Sequence, residues 1–282
     1  MPENCRLDKS RKRRLPTSFG SWCFLLLALA VTALVGCDVG VPGENGGSGQ
    51  GPGHRPQHLA LRPDEELALG EQAYRQVLSE SRGRVLPSDD PRVQKVRAIA
   101  RRVVRAAGIE PLQREINLQL RGYRFEWEAN VIADRRVNAF CLPGGKIVVY
   151  TGILSVAEND DQLATVLSHE IAHALAHHSN ERLTREESGR VNMLVNKAFD
   201  RRQESEADHI GIFLMTFAGY QPEEGVRLWV RMSQLHQGGS IPEFLSDHPS
   251  DQQRIRDMQR WVPMALAAKK AFDEGRIAPP TR

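Results

Sequence analysis

Cysteine is scarce in this chain: four in 282 residues, three of which (Cys5, Cys23 and Cys37) precede residue 38. That excludes a small scaffold held together by disulfides. Long apolar runs are also scarce. The most conspicuous, WCFLLLALAVTALVG from Trp22 to Gly36, falls short of the ~20 residues a membrane helix needs, and no later run reaches that length. An excess of one charge is missing too. Lys and Arg number 38 against 35 Asp and Glu, a net +3. Six basic residues (Arg6, Lys9, Arg11, Lys12, Arg13, Arg14) and two acidic ones (Glu3, Asp8) lie in residues 1–36, so a chain without that segment is near −1. Nucleic acid is therefore not an expected partner. No internal repeat is visible, which excludes a solenoid.

The N-terminal segment reads as an address rather than a fold. Basic residues followed by the apolar run form the n-region and h-region of a signal peptide. Leu34-Val35-Gly36-Cys37 looks like a bacterial lipobox, in which the cysteine is acylated and becomes the new N-terminus. Residues 1–36 are thus expected to be a lipoprotein signal, and Cys37 the lipidation site and membrane anchor. Asp38 to His58, DVGVPGENGGSGQGPGHRPQH, is Gly- and Pro-rich and apolar-poor. Such a tether spans roughly 25 Å on average. The expected organisation is a signal at 1–36, a tether at 37–60, one domain at 61–265 and a C-terminal tail at 266–282. Cys141, left without an intramolecular partner, is expected to pack as a small apolar residue.

Helical spacing recurs in RPDEELALGEQAYRQVLSES and DPRVQKVRAIARRVVRAAG, whose arginines read as a solvated face. Alternation follows at Tyr123, Phe125 and Trp127, then two apolar stretches flank the turn Pro143-Gly144-Gly145. Helices, strands and helices in that order indicate an α+β fold, mainly helical, with a small antiparallel sheet.

A further helix is signalled by ENDDQ. Asn159 suits the N-cap, Gln162 the reciprocal position of a capping box, and Asp160 and Asp161 the positive helix end. Leu163, Val166, Leu167, Ile171 and Ala174 give it an apolar stripe. Within it lies SHEIAHALAHHSN, Ser168–Asn180, with four of the nine histidines. His169 and His173, four apart, share one helix face and can aim both imidazoles at one ion. Glu170 is about 100° away around the axis, too far to join them but able to reach a water on that ion. Zinc with three protein ligands leaves such a water in place and makes it acidic. Glu170 is the expected general base.

A third ligand is offered by RRQESEADHIGIFLMTFAG. Glu204 and Asp208 share a helix face, beside the small residues Ala207 and Gly211 that permit close packing. Glu204 is expected to ligate, and Asp208 to accept a hydrogen bond from a ligand imidazole. Glu206, about 200° from Glu204, should face away. His177 and His178 read as helix-end or packing groups rather than ligands, and His54, His58, His209 and His236 carry no expected role. An exposed strand around Asn138 and Ala139 is expected to pair with extended substrate. His248, held extended by Pro249 on a polar segment, is expected near the metal, either blocking access or stabilising an oxyanion.

HEIAH, then ESEAD, with NAFCLPGGKIVVYTG upstream and FAGYQPEEGVRLWVRM downstream, resembles the zinc metalloendopeptidases related to the CAAX prenyl protease and the HtpX-like proteases, in their soluble periplasmic or lipoprotein branch. The similarity covers roughly residues 62–260. It implies a zincin-like fold and one zinc per chain, held by His169, His173 and Glu204 in the gluzincin manner, with Glu170 as general base. It also places a histidine-proline pair at His248 and an arginine at Arg254. The chain departs from the family's membrane branches in lacking their helices, so prenylated or intramembrane substrates are not expected. The resulting expectation is a lipid-anchored zinc endopeptidase of the bacterial envelope that cuts unfolded or misassembled protein, with envelope assembly machinery as a partner. The rival is a non-catalytic lipoprotein that uses the same fold to bind assembly factors.

Overall fold

The structure is a computed structural model and describes residues 55–118, 120–183, 199–237, 243–248 and 252–276, all inside one compact unit, Gly40–Arg282. Cys37 and the lipoprotein segment lie outside the described residues. In order, the elements are α1 (Pro63–Glu80), α2 (Pro91–Ala107), α3 (Glu110–Glu115), β1 (Glu128–Ile132), β2 (Ala139–Leu142), β3 (Lys146–Tyr150), α4 (Thr151–Val156), α5 (Asp160–Leu175), α6 (His178–Leu183), α7 (Arg201–Phe217), α8 (Glu223–Gln237), α9 (Glu243–Asp247) and α10 (Gln252–Asp273). The fold is mainly helical with a small sheet, as expected. None of the described helices is long and apolar enough to cross a membrane.

The sheet is mixed rather than antiparallel. Its order is β1-β3-β2, with β1 parallel to β3 and β2 antiparallel to it. Alternation reports that a strand has two unlike faces but not which way its neighbour runs. The turn is where it was expected: Gly144 and Gly145 hold φ of 75° and 89°, which glycine adopts without strain. The expected strand through Tyr123, Phe125 and Trp127 is shorter and starts only at Glu128. Those rings pack instead, Phe125 stacked on Trp127 at 5.2 Å and Tyr123 tilted against His177 at 3.7 Å between centroids.

Alternation along the strands divides the core. Val131, Cys141, Ile147 and Val149 face the main cluster with α2, α5 and α7. Ile132, Leu142, Val148 and Tyr150 face a second cluster with Tyr74 and Val77 of α1. Cys141 packs as the small apolar residue it was read to be, and burial pushes its thiol well above its usual pKa.

Helix α5 runs through the middle. Asn159 caps it, its side chain accepting from the Gln162 N–H at 2.9 Å. The reciprocal bond is displaced: Gln162 accepts from the Glu158 N–H at 3.0 Å. Every residue from Gln162 to Leu175 is buried, so what reads as a stripe is a helix enclosed on all sides. The crossing with α7 is tight, because a Cβ on Gly211 would lie 3.1 Å from the His169 backbone nitrogen.

The described structure includes residues on either side of 61–265. Leu59 and Leu61 are buried, and Gln57 donates to the Ala176 carbonyl at 2.6 Å. Leu59 and Gln57 thus dock the last residues of the stretch read as tether onto the domain. At the other end α10 continues past residue 265 to Asp273, with Ala268 and Phe272 packed on the core.

Candidate metal centre

Three helices and one short segment converge on a buried point. α5 contributes His169, Glu170 and His173, and α7 contributes Glu204 and Asp208. His248 follows α9, and Arg254 comes from the first turn of α10. All seven are buried. The i, i+4 spacing of His169 and His173 brings their Nε2 atoms to 3.1 Å. Glu204 Oε2 is 3.4 Å from His169 Nε2, and Glu204 Oε1 is 3.5 Å from His173 Nε2. His248 closes the group, its Nδ1 lying 3.1 Å from His169 Nε2 and 2.9 Å from Glu204 Oε1. Donor atoms of these four residues all lie within 4.8 Å of one another.

This donor set suits a metal ion. Bonds of about 2.05 Å at tetrahedral angles place ligand atoms about 3.3 Å apart, and the separations above scatter around that value. The His169 Nδ1 lies 3.0 Å from an Asp208 carboxylate oxygen, which favours a proton on Nδ1 and a free lone pair on Nε2 facing the cluster.

Arg254 sets the electrostatics around the two acids. It grips Asp208 through two bonds of 2.7 and 2.8 Å and reaches Glu204 Oε2 at 2.7 Å, while its guanidinium lies 4.1 Å over the Trp229 ring. Burial alone would raise both carboxyl pKa values. His248 and Arg254 hold Glu204 well below its usual value, and Arg254 with His169 holds Asp208 low. Burial depresses His169, but Asp208 and Glu204 outweigh it and leave that imidazole above its usual value. His173, with less acid around it, is pushed well down by burial. A neutral imidazole beside an ionised carboxylate is the state a divalent cation requires.

Glu170 stands apart from the four, as its 100° offset demands. Burial pushes its carboxyl up to about 8, and the Cys141 backbone N–H donates to it. Its Oε1 lies 3.3 Å from His248 Nε2, so the His248 ring sits between the clustered donors and Glu170.

Strand β2 forms one edge of the described sheet. Tyr150 N–H donates to the Asn138 carbonyl, so alternate residues Val137, Ala139 and Cys141 turn their backbone groups outward. The segment 243–248 covers that edge. Phe244 N–H donates to the Val137 carbonyl at 2.9 Å, and Asn138 donates to Glu243 and Asp247 at 3.2 and 3.0 Å. Asn138 Oδ1 takes the Ala139 N–H at 2.8 Å.

Three side chains at this centre were not legible as such. His178 lies 3.0 Å from His173 through their Nδ1 atoms, Glu206 lies 3.1 Å from His178, and Arg55 binds Glu206. Glu206 does point off the metal-binding face, but onto a partner. His177 takes a left-handed φ of 54°, which ends α5 and swings His178 out of helical register, so spacing could not place it. His177 itself bonds Glu66 of α1 at 3.0 Å, as a packing group. His58 is exposed, and His209 packs on Phe213 and Trp261.

Comparison with known proteins points the same way. The model of peptidase family M48 matches residues 93–198 and 188–262. The mitochondrial metalloendopeptidase OMA1 of Saccharomyces cerevisiae is 34% identical over 226 residues, 71% of this chain and 64% of that protein. Its counterpart in Schizosaccharomyces pombe is 36% identical over 231 residues, 74% of this chain and 65% of that protein. The beta-barrel assembly-enhancing protease of Escherichia coli O157:H7 is 24% identical over 177 residues, half of this chain and 36% of that protein. The chain therefore spans just under two-thirds of the two yeast relatives and about a third of the bacterial one.

Proposed function

Since the chain belongs to peptidase family M48, we propose that it is a zinc-dependent endopeptidase of the gluzincin type. The observation that carries this reading is the buried four-donor cluster His169, His173, Glu204 and His248, with Glu170 beside it. His169, His173 and Glu204 would hold one zinc. When bound there, zinc lowers the pKa of water to about 7 and polarises a carbonyl. Glu170, desolvated and within reach, takes the proton from the attacking water and hands it to the leaving nitrogen. Asp208 keeps the His169 tautomer fixed, and Arg254 keeps Asp208 and Glu204 in place.

His248 makes the described state a closed one. Its ring would compete with a water for the space beside Glu204 and Glu170, and α9 bonds Val137 and Asn138 at the β2 edge where an extended substrate would pair. Opening requires 243–248 to lift away. Main-chain pairing would make cleavage tolerant of sequence, which suits unfolded or misassembled protein.

The setting we infer is the bacterial envelope, with Cys37 acylated, the domain held at a membrane and assembly machinery among its partners. The lipobox-like residues and the beta-barrel assembly-enhancing relative support this. The test compares casein cleavage and zinc content for residues 38–282 and two variants. Glu170→Gln should keep zinc and lose activity about 10²- to 10⁴-fold, while Glu204→Ala should lose zinc. Zinc-loaded wild type that cleaves nothing would favour the non-catalytic binding protein instead.

A further inference from the structure

Each ligand imidazole has two nitrogens, and the one turned away from the cluster must be held if the other is to stay aimed. For His169 that task falls to Asp208. Among the described residues, no carboxylate touches the outer nitrogen of His173. Its Nδ1 faces His178 Nδ1 at 3.0 Å, and His178 Nε2 lies 3.1 Å from Glu206 Oε2. Glu206 is gripped by Arg55 through contacts of 2.5 and 2.9 Å, and the same guanidinium binds Glu181 at 2.5 and 2.7 Å. Gln203 donates to both Glu181 and the His178 carbonyl, and Phe199 stacks on the His173 ring at 3.8 Å.

Proton positions along this row follow from its far end. The Glu206 carboxylate, paired with a guanidinium, only accepts. His178 Nε2 therefore carries a hydrogen and donates it. A neutral His178 then offers a lone pair at Nδ1. Two nitrogens 3.0 Å apart share one hydrogen, so His173 Nδ1 carries it. The His173 Nε2 is left with its lone pair facing the cluster.

We propose that His178 and Glu206, clamped by Arg55, are positioning residues that select the metal-binding tautomer of His173 from two side chains away. The proposal rests on the reading of His173 as a ligand. It also ties the metal centre to Arg55, which lies within residues 37–60, the stretch that the sequence composition reads as the tether. Asp208 with Arg254 does for one imidazole in one step what Glu206 with Arg55 does for the other in two.

The experiment measures zinc affinity by chelator competition on the full-length chain, beside thermal unfolding of the metal-free proteins. His178→Phe keeps a ring but drops both nitrogens and should weaken zinc binding about 10- to 100-fold. His178→Asn restores an acceptor near the Nδ1 position and should recover most of that loss. Glu206→Leu should weaken zinc with His178 intact, and Arg55→Leu should do so to a smaller extent. Nitrogen-15 NMR of the imidazoles should show His173 protonated at Nδ1 in zinc-loaded wild type and of mixed tautomer in metal-free Glu206→Leu. His173→Ala is the reference. If it retains zinc, the ligand reading falls and this proposal with it. If it loses zinc while His178→Phe and Glu206→Leu bind as wild type does, the proposal alone is overturned. A metal-free melting point lowered in His178→Phe, with zinc affinity unchanged in Glu206→Leu, would also overturn it, leaving His178 a packing residue.

Discussion

The two nitrogens of His248 face different neighbours, Glu204 at 2.9 Å on one side and Glu170 at 3.3 Å on the other. A ring in that position would compete with water and separate the proposed general base, Glu170, from the proposed ligands. Of the two roles its sequence position allows, this geometry supports the block. His248→Ala should therefore raise basal casein cleavage, by about tenfold if ~1.4 kcal/mol of closing interaction is removed. The check is turnover of the zinc-loaded variant at fixed substrate; a fall would assign the ring to transition-state stabilisation instead. His169, His173, Glu204 and Asp208 are legible because i, i+4 spacing on a helix is a local property. His178 is not, because the left-handed residue before it breaks that spacing.

Two helices crossing closely give the centre its shape. His169 and Glu204 belong to α5 and α7, and Gly211 allows these to meet with the His169 backbone against its Cα hydrogens. Gly211→Val would force them apart. The expected cost is about 1–3 kcal/mol, read as a lower melting temperature, together with a loss of zinc affinity because the ligand helices no longer keep register. An unchanged zinc content at a lowered melting temperature would mean that the two helices are held by other contacts. The sheet teaches a different lesson at this scale. The β2–β3 hairpin could be read from Gly144-Gly145, whose turn is local, whereas the parallel partnership of β1 with β3 depends on a crossover that strand patterning does not encode.

Distant segments of the molecule are tied together at Asp134. Its carboxylate receives Arg84 from the loop after α1 at 2.7 Å and Arg136 at 2.8 Å, while its carbonyl accepts from Thr151 at 2.8 Å and from the Gly152 N–H at 2.9 Å. The hydrogen bond from Arg136 is the main cause of a carboxyl pKa held below the usual value, against a smaller opposing effect of burial. A depressed folded pKa contributes stability above the unfolded value of about 4 and loses it as pH falls through the folded value. Asp134→Asn should lower stability by about 1 kcal/mol at pH 7. The gap between the two proteins should narrow as the medium is taken below about pH 4, measured as the difference in denaturant midpoint. A gap independent of pH would locate the effect in the backbone bonds alone. At the same scale, on the proposed reading of Cys37 as a lipid anchor, Cys37→Ser should move the protein from the membrane to the soluble fraction; unchanged membrane association would count against that anchor.

The residues themselves determined the helix that carries His169, Glu170 and His173, the cap at Asn159, the second helix with Glu204 and Asp208, and the hairpin turn. Each of these depends on neighbours a few positions away, through helical periodicity, capping or a left-handed glycine. Tertiary structure alone decided that α5 is enclosed on every side, that β1 runs parallel to β3, that α9 covers the β2 edge, and that Arg55 reaches Glu206. The β1–β3 pairing, the bond from α9 to Val137 and the Arg55–Glu206 pair join residues 18, 107 and 151 positions apart. They arise because the desolvated interior leaves each buried polar group to find whichever partner the packing of whole helices brings within reach.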